Sequence, residues 1–434
     1  MIEKNWIKNI DNLNYTSQKK IMLELINAMF NSVDTEKVIT DSIRLEENIL
    51  YIKEHMFNLN NFKRIKIVAI GKVASEAVCT LEKVLGDKVD SGVLIDIKEV
   101  KCNIVESFVG THPKPSMINV KATEKIFELA EDIKKEDLVF IIVSGGGSAL
   151  LCSSESEYTQ GVKLYDNFLK SGGNIKEINL VRKHISILKG GGLAKLFYPA
   201  SVVGLIFCDI SGGHYEEVAS GPTYKDMTTI DDAEKIIEKY QLGDFNLNET
   251  PKEDIYFEKV INISITSNVV ALEAVAKKAK ELGLSTKTIS YQIFESAEVT
   301  NKNFLNVGSE FDVVIGGGEI KVEVKNDKGS GGRCLYLAMS ILPSLKENQI
   351  FAAIASDGMD NCDSAGAIVN IDTYKKSKEL NLDLNEYIQN FDAYNFFEKT
   401  EGMVFTGPTG INIADIMILL SFENYSELRN SSQV

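Results

Sequence analysis

The chain has 434 residues and is 44% hydrophobic, enough for two or three ordinary domains with hydrophobic cores. Its formal net charge is −15, from 62 acidic and 47 basic residues. Because nucleic-acid binding depends on clustered positive charge, this balance excludes nucleic acid as an expected partner and leaves small molecules.

The six cysteines form no CxxC pair and the four histidines form no ligand cluster, so a thiolate zinc site is not expected. No apolar run reaches the ~18 residues of a membrane helix, and the first residues lack the apolar core of a signal peptide. We therefore expect a cytoplasmic protein with reduced thiols and no membrane partner. The oligomeric state is left open, with a homodimer as one candidate assembly.

Residues 1–60 carry apolar side chains at helical spacing, which predicts packing helices. From Ile65 onward the pattern changes, because short β-rich apolar runs alternate with amphipathic helix patterns; the runs are IKIVAI, GVLID, LVFIIVS and SVVGLIFCD. Buried strands separated by helices predict an α/β fold with a Rossmann-like parallel sheet, here assigned to a domain of residues 1–252 with leading helices.

The polar stretch NLNETPKED marks the predicted domain boundary, and residues 253–434 form a second α/β domain in this interpretation. Its predicted elements are a helix over 269–282 and strands near 287–290, 312–315 and 351–355, with glycine-centred turns between them. No repeat of fixed period is visible.

Three strand ends in the first domain carry residues suited to binding phosphate. Lys72 follows Gly71, the run Gly145, Gly146, Gly147 and Ser148 follows a buried strand, and Asp209 follows Cys208. Loops at the carboxyl ends of parallel strands share one crevice, and glycine backbone N–H groups can cradle anionic oxygens. A tight structural turn and an ordinary helix-entry lysine are the alternatives for these positions.

Further candidates have the residue types that phosphoryl transfer requires, namely cations for phosphate and carboxylates for Mg²⁺. Arg333 follows GSGG and can present a bidentate fork, whereas Asp209, Glu319, Asp357 and Asp360 are candidate Mg²⁺ contacts. His112, Arg182 and Lys183 are candidates for anchoring a substrate carboxylate. Surface salt bridges, turn caps and a structural histidine remain alternatives for these residues.

Other catalytic motifs are missing from the sequence. No GxxxxGK[ST] is present, no GxGxxG follows the first strand, and SGGGS does not supply the GxSxG geometry of a serine nucleophile. A P-loop, a standard dinucleotide site and a serine hydrolase are therefore disfavoured.

Taken in order, the motifs resemble those of the glycerate 2-kinase family, whose C-terminal module is called MOFRL and whose members were formerly labelled hydroxypyruvate reductase. The resemblance covers nearly the whole chain and rests on nine segments: AIGKVA, GTHPKP, VSGGGSALL, NLVRKHISILKGGGLA, VASGPT, GGE, GSGGR, DGMD and FTGPTGIN.

The resemblance implies an ATP- and Mg²⁺-dependent kinase that phosphorylates the 2-hydroxyl of D-glycerate, or of a similar short hydroxy acid, in a cleft between two α/β domains. Lys72 and Arg333 match the family's active-site lysine and arginine. By the same resemblance, Gly145 to Ser148 face phosphate or substrate, and Asp209 lies at the catalytic centre, orienting the attacking hydroxyl or Mg²⁺.

Some positions depart from the family pattern. Gly213 and His214 stand where the family has aspartates, Cys334 and Leu335 replace asparagine and glutamine, and Ile411 replaces a threonine. These departures keep two alternatives open besides a changed acceptor: a catalytically silent ligand-binding member of the fold, and a nicotinamide-dependent hydroxypyruvate reductase.

Overall fold

The structure is a computed structural model that describes residues 4–13, 16–169, 175–323 and 329–421. It divides into two compact units. The parallel-sheet unit comprises Thr35–Asp209 and His214–Ile265, and the mixed-sheet unit comprises the described residues of Met1–Asp34, Ile210–Gly213 and Thr266–Val434. Each unit has a six-stranded sheet.

The strands in chain order are β1 (Ile43–Glu46), β2 (Ile49–Ile52), β3 (His55–Asn58), β4 (Arg64–Ile70), β5 (Ser91–Asp96), β6 (Glu106–Val109), β7 (Asp137–Val143), β8 (Ser201–Phe207), β9 (Val260–Thr266), β10 (Thr286–Ile293), β11 (Val313–Gly318), β12 (Gln349–Ala355), β13 (Gly366–Asn370), β14 (Met403–Val404) and β15 (Asp415–Ser421).

The α-helices are α1 (Ile10–Leu13), α2 (Ser17–Val33), α3 (Thr35–Ser42), α4 (Ala74–Leu85), α5 (Met117–Ala130), α6 (Gly147–Leu150), α7 (Glu155–Leu169), α8 (Ile175–His184), α9 (Gly192–Leu196), α10 (Ile230–Tyr240), α11 (Asn268–Glu281), α12 (Ala297–Val307), α13 (Arg333–Ile341), α14 (Ile371–Glu379), α15 (Leu384–Asn390) and α16 (Ala393–Thr400). Short 3₁₀ helices lie at Leu59–Asn61, Gly86–Lys88, Tyr215–Ser220, Asp254–Tyr256 and Leu342–Ser344.

The parallel-sheet unit has the strand order β6-β5-β4-β7-β8-β9. This is the doubly wound order of a Rossmann-like sheet, with its switch point between β4 and β7. These two strands pair in parallel from Arg64 and Asp137 to Ile70 and Val143, so the loops that follow them leave the sheet side by side. The predicted α/β fold with a Rossmann-like parallel sheet is confirmed.

The mixed-sheet unit has the order β10-β11-β15-β12-β13-β14. Strands β10 and β11 are parallel, and the remaining neighbours are antiparallel. The central strands are buried along their whole length, which explains why their sequences read as continuous apolar runs without alternation.

The division between the units differs from the predicted boundary at 252/253. Strand β9 extends the first sheet, and its Ile263 and Ile265 pack in the same core as Val203 and Leu205. Apolar periodicity reports that a strand is buried but does not report which sheet buries it.

The N-terminal helix was also assigned to the wrong unit. Helix α2 begins after Thr16, whose side chain caps it by accepting from the Lys19 N–H, and its Leu25, Met29 and Phe30 share a core with Leu272 of α11. The leading helix therefore packs in the mixed-sheet unit, although it is distant from that unit in sequence.

The helical prediction for residues 1–60 fails after Ser42. Strands β1, β2 and β3 form a three-stranded antiparallel sheet in which each second side chain of ILYI is buried. Its turns place Glu47 and Lys53 at positive φ. The β-branched and aromatic content of this stretch favoured strands over the weak helical stripe.

None of the helices in the described parts of the chain has the length and apolar composition that crossing a bilayer requires.

Candidate active site

The loops after β4 and β7 meet at the switch point of the parallel sheet. The Lys72 N–H donates to the Gly145 carbonyl at 2.9 Å, and the Ser144 N–H donates to the Ile70 carbonyl at 2.9 Å. Gly71 has a φ of +122°, and a Cβ there would lie only 2.6 Å from the Ser144 carbonyl oxygen. A residue with a side chain does not fit at Gly71, so this close approach of the two loops requires glycine.

The glycine run brings three predicted residues together. A Cβ at Gly146 would lie 3.2 Å from His112 Cδ2 and 3.2 Å from Lys72 Cγ, and a Cβ at Gly145 would lie 2.7 Å from Asp209 Cγ. Lys72, His112 and Asp209 therefore surround the open backbone of this loop, as expected from their positions after separate strands.

The surroundings of His112 are positively charged. His112 as a residue is exposed, but its ring is partly shielded by the protein; this partial burial, followed by the nearby charges of Lys72 and Arg182, lowers the pKa of His112 to about 4. The imidazole is therefore neutral at neutral pH, and it lies near two cations. A neutral hydrogen-bonding ring between a lysine and an arginine is a suitable environment for an anionic ligand.

We expect NMR to detect titration of the His112 ring only near pH 4. Because its folded pKa lies below the ordinary 6.5, the unfolded chain binds more protons between these values. This group's contribution to the free energy of unfolding therefore rises as pH rises from about 4 to 6.5, and it is lost on acidification. A His112→Gln variant assigns the resonance and removes that slope; a ring that titrates near 6.5 in the folded protein contradicts the expectation.

Arg182 approaches the same region from helix α8. Burial lowers its pKa to about 10, and its guanidinium donates to Asn179 Oδ1 at 3.2 Å. Among the described residues no carboxylate lies within ion-pair distance of it. With Ser148, Pro113 and Pro115, Arg182 lines a narrow cavity of about 20 Å³. A half-buried guanidinium without a carboxylate partner has the chemistry to bind an anion.

A hydrogen-bonded chain connects Arg182 with the glycine run. The Ser148 and Ser220 hydroxyls are 2.9 Å apart, and Ser220 Oγ donates to Asn179 Oδ1 at 3.3 Å. Ser220 has a φ of +60°. Such strained backbone persists where the surroundings hold it, and it is often found at functional sites.

Lys183, which was predicted beside Arg182, has different contacts. Its ammonium pairs with Glu217 Oε1 at 3.1 Å and with Asp226 Oδ1 at 3.4 Å, and the side chain is buried. His184 Nδ1 donates to the Asn248 carbonyl at 2.9 Å, and its Nε2 lies 3.1 Å from Thr228 Oγ1. These contacts indicate that Lys183 and His184 hold α8 in place. Of the two cationic residues in the NLVRKH segment, Arg182 is therefore the one that acts on the glycine-run site.

Asn119 was not singled out from the sequence, yet it holds the His112 loop in place. Its fully buried amide accepts from the Thr111 N–H at 2.8 Å and donates to the carbonyls of Thr111 and Ala149 at 2.9 and 2.8 Å. Asn119 thus joins the loop of His112 to helix α6, which the glycine run opens. In the sequence, the only hint of this role is that Asn119 lies in the first turn of α5, close to the helix cap Ser116.

The mixed-sheet unit contains a polar cleft of about 210 Å³. Arg333, the first residue of α13, donates to Glu319 Oε2 at 2.8 Å and to Asp415 Oδ2 at 3.2 Å. Asp357 is exposed and lines the same cleft. The structure thus brings together the predicted Arg333, Glu319 and Asp357 and adds Asp415, a charged residue at the start of an otherwise apolar strand.

Two carboxyl groups of this cleft are shielded from solvent. Burial raises the pKa of Asp415 to about 7, against the opposing effect of Arg333, and burial raises the pKa of Asp360 to about 6. Asp360 accepts from the N–H groups of Cys334 and Leu335, at 3.1 and 2.7 Å. Asp360 therefore caps α13, a role that accounts for its position without a metal.

The departures Cys334 and Leu335 lie in the core of the mixed-sheet unit. Cys334 is 1% exposed and Leu335 is fully buried, and both pack with Ala338 and Phe351. The Cys334 side chain hydrogen-bonds Asp415, which lines the cleft, whereas Leu335 does not line it.

Within the described residues, no group of three or more His, Cys, Asp and Glu side chains is arranged to hold a metal ion. The cleft of the mixed-sheet unit is lined by the carboxylates of Glu319, Asp357, Asp360 and Asp415, which offer only oxygen donors. Mg²⁺ is usually held by one or two carboxylates together with water and substrate phosphates. This donor set fits an Mg²⁺ ion that arrives with a nucleotide.

Comparisons with known proteins agree over most of the chain. Residues 21–250 match the family described as Domain of unknown function (DUF4147), and residues 312–415 match the MOFRL family. The chain is 30% identical to the glycerate 2-kinase of Pyrococcus horikoshii, covering 93% of this chain and 97% of that protein. It is 32% identical to the D-glycerate 2-kinase of Thermotoga maritima, covering 93% and 98%.

Among solved structures, the crystal structure of glycerate kinase from Thermotoga maritima matches with a TM-score of 0.83. The sequence identity in this match is 30%, and it covers 93% of this chain and 99% of that chain.

Proposed function

Because the chain belongs to the glycerate 2-kinase family, we propose that it transfers the γ-phosphoryl group of ATP to the 2-hydroxyl of D-glycerate. The observation that carries this proposal is the convergence of Lys72, His112 and Asp209 on the glycine run, with the Arg182 charge acting on His112. Cations, open backbone N–H groups and a carboxylate are the groups that phosphoryl transfer uses.

In this proposal Arg182 binds the substrate carboxylate, and neutral His112 hydrogen-bonds the substrate beside it. Asp209 accepts the proton of the 2-hydroxyl as its oxygen attacks the γ-phosphorus. The bond from that phosphorus to the β,γ-bridging oxygen breaks, and ADP leaves with the electron pair. Lys72 and the backbone of Gly145 to Ser148 offset the negative charge on the migrating phosphoryl group.

In the cleft of the mixed-sheet unit, Arg333 would bind nucleotide phosphate, and Glu319 and Asp357 would hold Mg²⁺. When bound, the metal neutralises charge on the phosphates and favours departure of ADP.

The proposal is tested by incubating the purified protein with Mg-ATP and D-glycerate and by following ADP with a coupled assay. We expect ADP and 2-phosphoglycerate in equal amounts, the product being identified by ³¹P NMR. Binding of nucleotide without ADP release, with glycerate and with other short hydroxy acids, would instead favour the catalytically silent alternative.

The reductase alternative has weaker support. The segment after β4 reads GKVASE, which lacks the GxGxxG fingerprint of a dinucleotide site. The two relatives reported above are named kinases. Steady oxidation of reduced nicotinamide with hydroxypyruvate would restore this alternative.

The role of Arg182 predicts a selective loss of substrate affinity. Removing one charge-assisted contact weakens binding by about tenfold to a hundredfold. We therefore expect Arg182→Ala to raise the KM for D-glycerate by that factor, with a smaller change in the KM for ATP. Glyceramide, which lacks the carboxylate charge, serves as the comparison substrate: a carboxylate anchor predicts that the variant no longer prefers glycerate over it.

Arg44→Ala is a matched control, because Arg44 lies exposed on β1, where it pairs with Glu46 at 3.0 Å and lies over the Tyr51 ring, 4.5 Å from its centroid. An equal rise in both KM values for Arg182→Ala, with an unchanged preference between the two substrates, would contradict the carboxylate role.

A further inference from the structure

Two of the cysteines, Cys79 and Cys102, lie next to each other although they are separated in sequence. Cys79 is on helix α4, and Cys102 lies in the segment between β5 and β6. Both are half-buried free thiols. The side chains of Cys102 and Cys79 interact directly, and burial together with this contact raises the pKa of the Cys102 thiol.

The neighbouring carboxylate of Glu82 fixes this arrangement independently. Cys79 and Glu82 are three residues apart on α4, so they project from the same face of the helix. Glu82 is buried and accepts from the N–H groups of Asn103, Ile104 and Val105 at 2.9, 3.1 and 2.7 Å. These contacts hold the residues that directly follow Cys102 against the face that carries Cys79.

The remaining thiols provide a contrast. Cys152, Cys208 and Cys334 are buried, and Cys362 is half-buried but donates to the Asp360 carbonyl at 3.3 Å in the mixed-sheet unit. Cys79 and Cys102 therefore combine partial exposure with a neighbouring thiol. Because burial raises the pKa of Cys102 and disfavours its thiolate, Cys79 is the attacking thiol and Cys102 the resolving one.

We propose that Cys79 and Cys102 form a reversible disulfide that joins helix α4 to the segment between β5 and β6 when the protein meets a small-molecule disulfide. One cysteine thiolate attacks the reagent's S–S bond, forming a mixed disulfide and releasing one reagent thiolate. The second cysteine thiolate then attacks the protein sulfur of that mixed disulfide and releases the other reagent thiolate. The two protein thiols lose two electrons and two protons, and the reagent disulfide is reduced to two thiols.

The location of the pair gives the bond a consequence for the glycine-run site. Helix α4 begins directly after Lys72 and Val73, and the Ser75 N–H donates to Asp96 Oδ2 at 2.9 Å. A covalent link at Cys79 restrains the helix that follows the proposed phosphate-binding lysine, two residues after it. The disulfide itself does not depend on the proposed kinase activity.

The test incubates the full-length protein with oxidised glutathione and counts free thiols in denaturant before and after. We expect the count to fall by two, the intact mass to fall by two hydrogen masses, and peptide mapping to find Cys79 linked to Cys102. The midpoint of thermal unfolding should rise, and dithiothreitol should restore all of these values.

Cys79→Ser and Cys102→Ser should each abolish the mass loss and the thermal shift, whereas Cys362→Ser should retain both. Peptide mapping of the unaltered protein does not depend on whether those variants fold. Glutathione adducts on either cysteine without a linked peptide, or a link that involves Cys362, would overturn the proposal.

Discussion

A Lys72→Ala variant is expected to lose turnover by about 10²- to 10³-fold, as removal of a single group that stabilises transition-state charge does in other enzymes. The Cγ and Cε atoms of Lys72 lie beside the open backbone of Gly146, and the backbone N–H of Lys72 donates to the Gly145 carbonyl. Among the described residues no carboxylate pairs with its ammonium. Its charge is therefore available to a ligand.

The loss should fall mainly on kcat, because the charge that Lys72 offsets develops on the migrating phosphoryl group. Lys72→Arg keeps the charge with a different geometry and should recover part of the activity. Lys121→Ala, which removes an exposed lysine from α5, is the matched control and should behave as the unaltered protein. Thermal unfolding of all three variants separates loss of the fold from loss of catalysis. Full activity of Lys72→Ala would refute the assignment of this loop as the phosphate site.

An Arg333→Ala variant is expected to lose activity to a similar extent, about 10²-fold or more. It should also lose stability, because Asp415 then keeps a buried carboxyl group without its cation. Burial already raises the pKa of Asp415 to about 7, against the opposing effect of Arg333, and removal of the arginine raises it further. Since the folded pKa exceeds the ordinary 3.8, the free energy of unfolding falls as pH rises through this interval.

The double variant Arg333→Ala with Asp415→Asn separates the two effects. The amide carries no charge and does not titrate, so the stability should recover and the pH dependence that Asp415 causes should disappear, while the kinase activity stays low. The measurements are chemical denaturation between pH 5 and pH 8 and the ADP assay at each pH. If the double variant regains both stability and turnover, Arg333 acts only as a structural partner of Asp415 and its phosphate role is wrong.

Much of the parallel-sheet unit could be predicted from the sequence because its signals are local. A buried strand followed by glycine and lysine, or by three glycines, specifies both the element and the type of loop at its end. Strand order then places such loops at one edge, so Lys72 and Gly145 could be expected to meet before any coordinates were known. Residues 43–58 show the limit of such local signals. They are predicted to be helical from a weak apolar stripe, but they form strands β1 to β3, which their β-branched and aromatic residues favour.

The sequence by itself determined the α/β class, the glycine-lined loops and the types of charged group available for binding phosphate. Only the tertiary structure decided which sheet receives β9, which core receives α2, and which of Arg182 and Lys183 meets carboxylates. It also revealed Asn119 and Asp415, whose partners are distant in sequence. The physical reason is that periodicity and glycine content act within a few residues along the chain, whereas burial, ion pairing and the pKa of a carboxyl group depend on neighbours that folding brings together.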